Sequence, residues 1–153
     1  MQSYDLIKMD DYIVIDVEPD GQEHQRVLII EALRVIKGKK VDSLSKFNGV
    51  EKGKYNPPSF LFTQEIIRFV KDLPCLCYAQ SYTKAYIEYE LEFFRLDGFI
   101  KYVGIEEIAS QKFGREISFE ELVFKFDLSP KFDGYFYSHK ENIHSIYEIL
   151  KII

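Results

Sequence analysis

Two acids one residue apart, Asp16 and Glu18, close a run of strand formers in the stretch YIVIDVEPDG at positions 12–21. Side chains on a strand alternate faces with a period of two, so both carboxylates point to one side. Like charges held that close repel unless a cation or a shared proton lies between them. A divalent metal with oxygen ligands resolves the repulsion; alternatively the strand ends at Pro19-Asp20-Gly21 and both acids are solvated. Two histidines near the C-terminus, His139 and His144, are the other candidates for chemistry, set against a plain reading as polar residues on the exposed start of a terminal helix. His24, in the polar stretch GQEHQ, reads as solvent-facing. Cys75 and Cys77 in LPCLCY share one face of a strand. Without a second pair they make a poor zinc site and no expected disulfide, so they read as small core residues.

The elements that must position these groups follow from periodicity and punctuation. Tyr12 to Val17 predicts a strand, and Arg26 to Ile36 (RVLIIEALRVI) a second one, β-branched at both ends. Lys37-Gly38-Lys39-Lys40 makes a turn into an alternating segment, Val41 to Phe47, which completes a hairpin. Residues 48–59 carry Asn-Gly, Lys-Gly-Lys and Asn-Pro-Pro and read as a loop. Phe60 to Lys71 has helical spacing, with Phe62, Ile66, Phe69 and Val70 on one face. Leu73 to Ala79 predicts a short strand, and Thr83 to Leu96 a helix with its stripe at Tyr86, Ile87, Leu91 and Phe94. A brief strand over 99–103 precedes a helix over 105–113, and Ser118-Phe119-Glu120-Glu121 reads as a capping box for a helix through Phe126. Residues 129–137 read as irregular and 139–153 as the closing helix. The order predicts one α/β domain over 1–153, an early antiparallel hairpin followed by strands alternating with helices.

Composition narrows the function classes. The chain has 153 residues, 46% hydrophobic and 29% charged, which is globular composition long enough for a real core. A net charge of −5 gives no electrostatic footprint for tight non-specific nucleic-acid binding. A nuclease stays open, because a metal site needs only local acids and a substrate groove only local bases. No segment has the roughly 18 apolar residues of a membrane span. The opening MQSYDLIKMDD lacks the basic and apolar regions of a signal peptide, so a cytoplasmic location is expected. Lys37, Lys39, Lys40, Lys52 and Lys54 read as solvated turn residues that could also steer a phosphate backbone. Tyr82, Tyr86 and Tyr89, at helical spacing, read as core residues, with base stacking as the alternative. Glu88, Glu90 and Glu92 read as an exposed acidic stripe.

Asp16-Val17-Glu18-Pro19-Asp20-Gly21 resembles the first motif of the DEDD 3′–5′ exonucleases, the group that includes the proofreading subunit of bacterial replicases. In register with it, IIEALRVIKGKKVDSLSKF over 29–47 looks like that family's second and third strands, CLCYAQSYTKAYIEYEL over 75–91 like its second motif, and the last helix from His139 like its third. The resemblance implies a ribonuclease-H-like fold, a mixed five-stranded sheet flanked by helices. It also implies four acids holding two divalent metals, Mg or Mn, that activate a water for in-line attack on phosphate. In the histidine-bearing branch a His acts as general base, here matched by His139.

The carry-over is incomplete. Asp16 and Glu18 match the first motif, but the second-motif aspartate, after Ser-Phe in the family, falls on Thr83 after Ser81-Tyr82. The third-motif aspartate, five residues after the histidine, falls on His144. A shift of two offers Asn142, with Tyr137 at the histidine position, and neither register restores the acid. The segment between hairpin and second motif is short beside the family's, which touches the substrate-binding region. Losing one such electrostatic contact costs about 10²–10³ in rate. The expectation is therefore an exonuclease-like domain, catalytically impaired, with a weak or absent Mg or Mn site at Asp16, Glu18 and the weaker ligand His144. It would act as a nucleic-acid-associated binding or regulatory module, with single-stranded nucleic acid or a protein as partner. The alternative is an active metal-dependent 3′–5′ exonuclease on single-stranded DNA or RNA. A third is a structural or protein-interaction domain.

Overall fold

The computed structural model describes residues 10–19, 27–47, 60–77, 80–98, 100–125, 132–133, 136–137 and 139–152. Its main sheet has five strands: β1 (Tyr12–Pro19), β2 (Val27–Ile36), β3 (Lys39–Phe47), β4 (Cys75–Cys77) and β5 (Tyr102–Gly104), in the spatial order β3-β2-β1-β4-β5. The β1–β2 and β2–β3 pairs are antiparallel, and β1–β4 and β4–β5 are parallel. The sheet is therefore mixed, with β1 at its centre, flanked by helices as expected from the sequence.

The hairpin is as tight as the sequence implied and shorter in its turn. Ile36 pairs with Lys39, leaving two loop residues, Lys37 (φ 53°) and Gly38 (φ 74°). Two consecutive positive φ angles are what a two-residue turn needs to match the twist of its strands, so β3 starts at Lys39. Asp11 Oδ1 accepts from the Lys37 amide at 2.8 Å, and the Gly38 amide donates to the Asp10 carbonyl at 3.0 Å.

Alternation along β1 sorts the core into two layers. Tyr12 and Val14, with Leu33 and Val35 of β2, face one side. They pack there against helices α3 (Ile105–Phe113), α4 (Phe119–Lys125) and α5 (His139–Ile152) through Ile108, Leu122, Ile143 and Ile146. Ile13, Ile15 and Val17, with Ile30 and Ala32, face the other. They meet α1 (Phe60–Val70) and α2 (Gln80–Phe93) through Phe62, Ile66, Ile87 and Leu91. The apolar stripe expected on α1 is buried at all four positions. Arg34, on the same face, donates to the Phe69 carbonyl at 2.5 Å and lies 4.5 Å over the Phe69 ring, a cation at a helix C-terminus.

Several boundaries differ from the sequence expectation. Strand β4 is three residues, with its ladder extended by Ile13 N–H to Pro74 O at 2.8 Å and Cys75 N–H to Lys101 O at 2.7 Å. Its partner β5 forms over Tyr102–Gly104 rather than 99–103. Helix α2 starts at Gln80, three residues before the expected Thr83, and closes after Phe93, with Arg95 left-handed (φ 51°) and Leu96 N–H on Leu91 O at 2.9 Å. The stretch read as irregular contains a small antiparallel ladder, β6 (Phe132–Asp133) with β7 (Phe136–Tyr137). At α4, Ser118 Oγ accepts from the Glu121 amide at 3.2 Å, the first half of a capping box. The Glu121 carboxylate meets Arg115 at 3.1 Å. The acidic stripe is corrected at Glu90, which is fully buried, and the tyrosine core at Tyr89, which is 42% exposed. A helix face aimed at the sheet is set by the register of its anchors, here Ile87 and Leu91, and Glu90 rides with them. His24, Lys52, Lys54 and the loop over 48–59 lie outside the described residues.

Helix α5 hangs on its contacts with β1 and β2, so Ile146→Ala, at a fully buried site, should cost about 2–5 kcal/mol. A urea titration should show a lowered midpoint with an unchanged slope.

Candidate functional site

Asp16 is 4% exposed and Glu18 partly buried, in the C-terminal half of the central strand. Both lie on the α5 side, the even-numbered face shared with Tyr12 and Val14. The Val17 amide donates to Asp16 Oδ1 at 3.0 Å, which ties the carboxylate to its own backbone. Pairing slips between Glu18 and Pro19, a bulge-like irregularity that ends the regular ladder directly after the second acid. The expected solvated strand end therefore does not describe Asp16, whose carboxylate is enclosed.

Thr83 comes into this region from the other side of the sheet. It sits in the first turn of α2, directly beyond β4, and is 1% exposed. Cys77, the last residue of β4, links it to the first acid. Burial pushes the Cys77 thiol up to about 12; a hydrogen bond from the Thr83 hydroxyl opposes the rise and the Asp16 carboxylate adds to it. Asp16 and Thr83 thus both act on the same thiol. The thiol also donates to the Val103 carbonyl at 3.7 Å, and burial drives Cys75 higher still. Both cysteines are core residues, as expected.

His139 is the first residue of α5, and its side chain is not among those described. His144 is partly buried, with Nδ1 2.8 Å from Lys40 Nζ on β3. A lysine ammonium has only donors, so the imidazole nitrogen is the acceptor. One turn on, Tyr147 donates to the Gly38 carbonyl at 2.9 Å and lies under Lys40, 4.5 Å from the ring centroid. Helix α5 is thereby pinned to the hairpin end of the sheet, and its first turn runs back toward the level of Asp16. Tyr86, read as core, packs partly buried against the α1–α2 layer, while Tyr82's side chain is not described.

Two carboxylates missed as site candidates belong to the picture. Glu31 of β2 is the cross-strand partner of Asp16 and shares its face. Its Oε1 accepts from Ser45 Oγ on β3 at 2.6 Å. It forms the floor of a groove of about 470 Å³ beside α5, lined also by Leu33, Lys40, Ser43, Ser45 and His144. Alternation gave Glu31 its face, but its register against Asp16 passes through residues 20–26, where periodicity is silent. Glu90 accepts from the Val27 amide at 2.9 Å and from the Thr63 hydroxyl at 3.5 Å. It ties α2 and α1 to the start of β2, opposite Pro19. Its spacing from Ile87 and Leu91 was a readable signal that it lies near the buried face.

Two carboxylates, an enclosed hydroxyl and a histidine held by a lysine are a thin donor set for two divalent ions. Among the described residues, no group of three or more His, Cys, Asp or Glu is placed to hold a metal ion. None of their helices is long and apolar enough to cross a membrane.

No protein-family model and no curated protein sequence matches the chain. Solved structures do. One, described as 3′-end specific recognition of histone mRNA stem-loop by 3′-exonuclease, superposes with a TM-score of 0.66 at 12% identity, over 94% of this chain and 81% of that one. Another, Exonuclease X in complex with 5′ overhanging duplex DNA, gives a TM-score of 0.56 at 15% identity, over 90% of this chain and 89% of that one. At such identities the likeness is one of fold: this chain has the ribonuclease-H-like, exonuclease-like fold.

The enclosed thiols carry a pH signature. In the unfolded chain they ionise near the ordinary value of 9.0, whereas folded Cys77 holds its proton to about 12. Between those values the native state binds more protons, so stability falls as pH rises from about 9. Tyr12, raised to about 12 by burial first and then by Tyr147, Asp10 and Glu148, adds to the fall above pH 10. Urea midpoints should be level from pH 7 to 8 and drop steadily from pH 9 to 11, with a shallower drop in Cys77→Ala.

Proposed function

We propose that this chain is an exonuclease-like domain that keeps the first carboxylate pair, Asp16 and Glu18, and serves as a nucleic-acid-associated binding or regulatory module with impaired catalysis. The observation that carries the reading is Thr83: a neutral, 1% exposed residue beside the Cys77 thiol, at the position that the resemblance matches to the second-motif acid. A hydroxyl brings no charge to a bridging position, and a second cation there would face uncompensated repulsion from the first. The donor set does not fit a two-metal centre, so no reaction step is assigned to one. A weak single Mg or Mn ion held by Asp16 and Glu18 is within reach of these residues.

The likeness to structures of a 3′-exonuclease recognising an RNA stem-loop and of Exonuclease X with duplex DNA supports nucleic acid as the partner class.

A second reading, an active metal-dependent 3′–5′ exonuclease, is favoured by one observation. Glu31 stands opposite Asp16 on the same face and could supply a third acid if it left Ser45. In that reading His139 is the general base and His144 an additional metal ligand.

The two readings part in a nuclease assay. With Mg²⁺ or Mn²⁺, the purified chain should degrade single-stranded DNA and RNA poorly or not at all. Robust digestion abolished by Asp16→Ala or Glu31→Gln would establish the second reading instead. Restoration gives the complementary result. Thr83→Asp should destabilise the metal-free protein by about 1–3 kcal/mol, because it encloses a charge, and Mn²⁺ should recover most of the loss. Adding His144→Asp or Asn142→Asp should increase that recovery in whichever register of the third motif is correct.

A further inference from the structure

Strand β3 is the outermost strand on its side of the sheet among the described residues, and it is nine residues long. An edge strand offers unpaired N–H and C=O groups to any strand that approaches. Here Lys39 to Ser43, Ser45 and Lys46 are exposed, and Val41, 55% exposed, sits where pairing with β2 slips. The defences of such an edge are charge and irregularity. These charges, however, are of both signs, so whether they repel depends on register.

A second copy of β3 run antiparallel to the first can be set in several registers. With the two-fold axis through Ser43, Lys40 meets Lys46 at two places. Through Asp42, two aspartates meet on the axis. Through Ser45, Asp42 and Lys46 find no charged partner. Through Leu44, Ser43 falls opposite Ser45 and Asp42 falls opposite Lys46, each twice. We propose that β3 is a self-association edge, pairing antiparallel with β3 of a second copy about Leu44 to continue the sheet across the axis.

The faces agree with this register. Asp42 and Lys46 lie on the α1 side, 3.4 Å from Arg34 and 3.3 Å from Glu65, with side chains 56% and 52% exposed. Each therefore has an open side for a partner's opposite charge and would join an alternating network across the axis. Ser43 and Ser45 line the groove on the other face, so the two grooves would meet across the junction. A two-fold contact of this kind is self-complementary and closed. A single strand edge buries less than a standard interface, so the association should be weak and concentration-dependent.

Sedimentation velocity from micromolar to millimolar protein tests it, using the wild type, Asp42→Lys and Lys46→Asp, with circular dichroism as the check on folding. The wild type should dimerise. Each variant alone sets like charges together at both places and should raise the dissociation constant at least about tenfold. An equimolar mixture of the two variants restores opposite charges at both places and should recover wild-type association. A wild type that stays monomeric throughout, variants that associate as the wild type does, or a mixture no tighter than its components would each overturn the proposal.

Discussion

The structure depends on one strand whose two neighbours run in opposite senses. Strand β1 takes β2 antiparallel on one edge and, at Ile13 and Val14, β4 parallel on the other, and its side chains from Tyr12 to Val17 are buried on both faces. The antiparallel edge is β2, which itself turns back through Lys37 and Gly38 into β3. The parallel edge needs a crossover, supplied by α1. The C-terminal end of β1 lies beside the start of β2, at the end of the sheet where the chain leaves β4 into α2. Asp16 and Glu18 occupy that end, so the two carboxylates of β1 are delivered to the point where three elements converge.

Charge is distributed unevenly around that point. The buried carboxylate on α2 is Glu90, spent on the Val27 amide and the Thr63 hydroxyl, where it fixes the start of β2. In the first turn of α2, beside the Cys77 thiol, stands the enclosed Thr83. A fully enclosed acid is tolerated when amide and hydroxyl donors surround it. The position of Thr83 offers a thiol instead, a weak partner for a carboxylate. The same helix therefore holds a buried carboxylate at Glu90, where it locks the fold, and a buried neutral hydroxyl at Thr83.

Much of this was legible because it rests on local rules. Alternation over Tyr12 to Val17 put Asp16 and Glu18 on one face, the Lys37-Gly38 turn announced the hairpin, and the α1 stripe needed only a period of 3.6. What was not legible depends on tertiary register. Glu31 is an ordinary exposed-pattern acid until β2 is slid against β1, and Glu90 looks like one of three alternating surface acids until α2 is rotated onto the sheet. His144 presented two readings as a ligand or a surface group, and its contact with Lys40, 104 residues away, is invisible to any local pattern. The bounds of β4, inside the expected 73–79, and of β5, shifted from 99–103, escaped for the same reason, since three-residue ladders are defined by their partners.

The proposal that Thr83 takes the place of an acid and leaves the site short of charge is tested most directly by calorimetric titration of the wild-type protein with Mn²⁺ at neutral pH. The account predicts at most one weak site, lost in Asp16→Asn and unchanged in Thr83→Val, since the hydroxyl contributes no ligand. Two ions bound tightly per chain, or loss of binding in Thr83→Val, would contradict it.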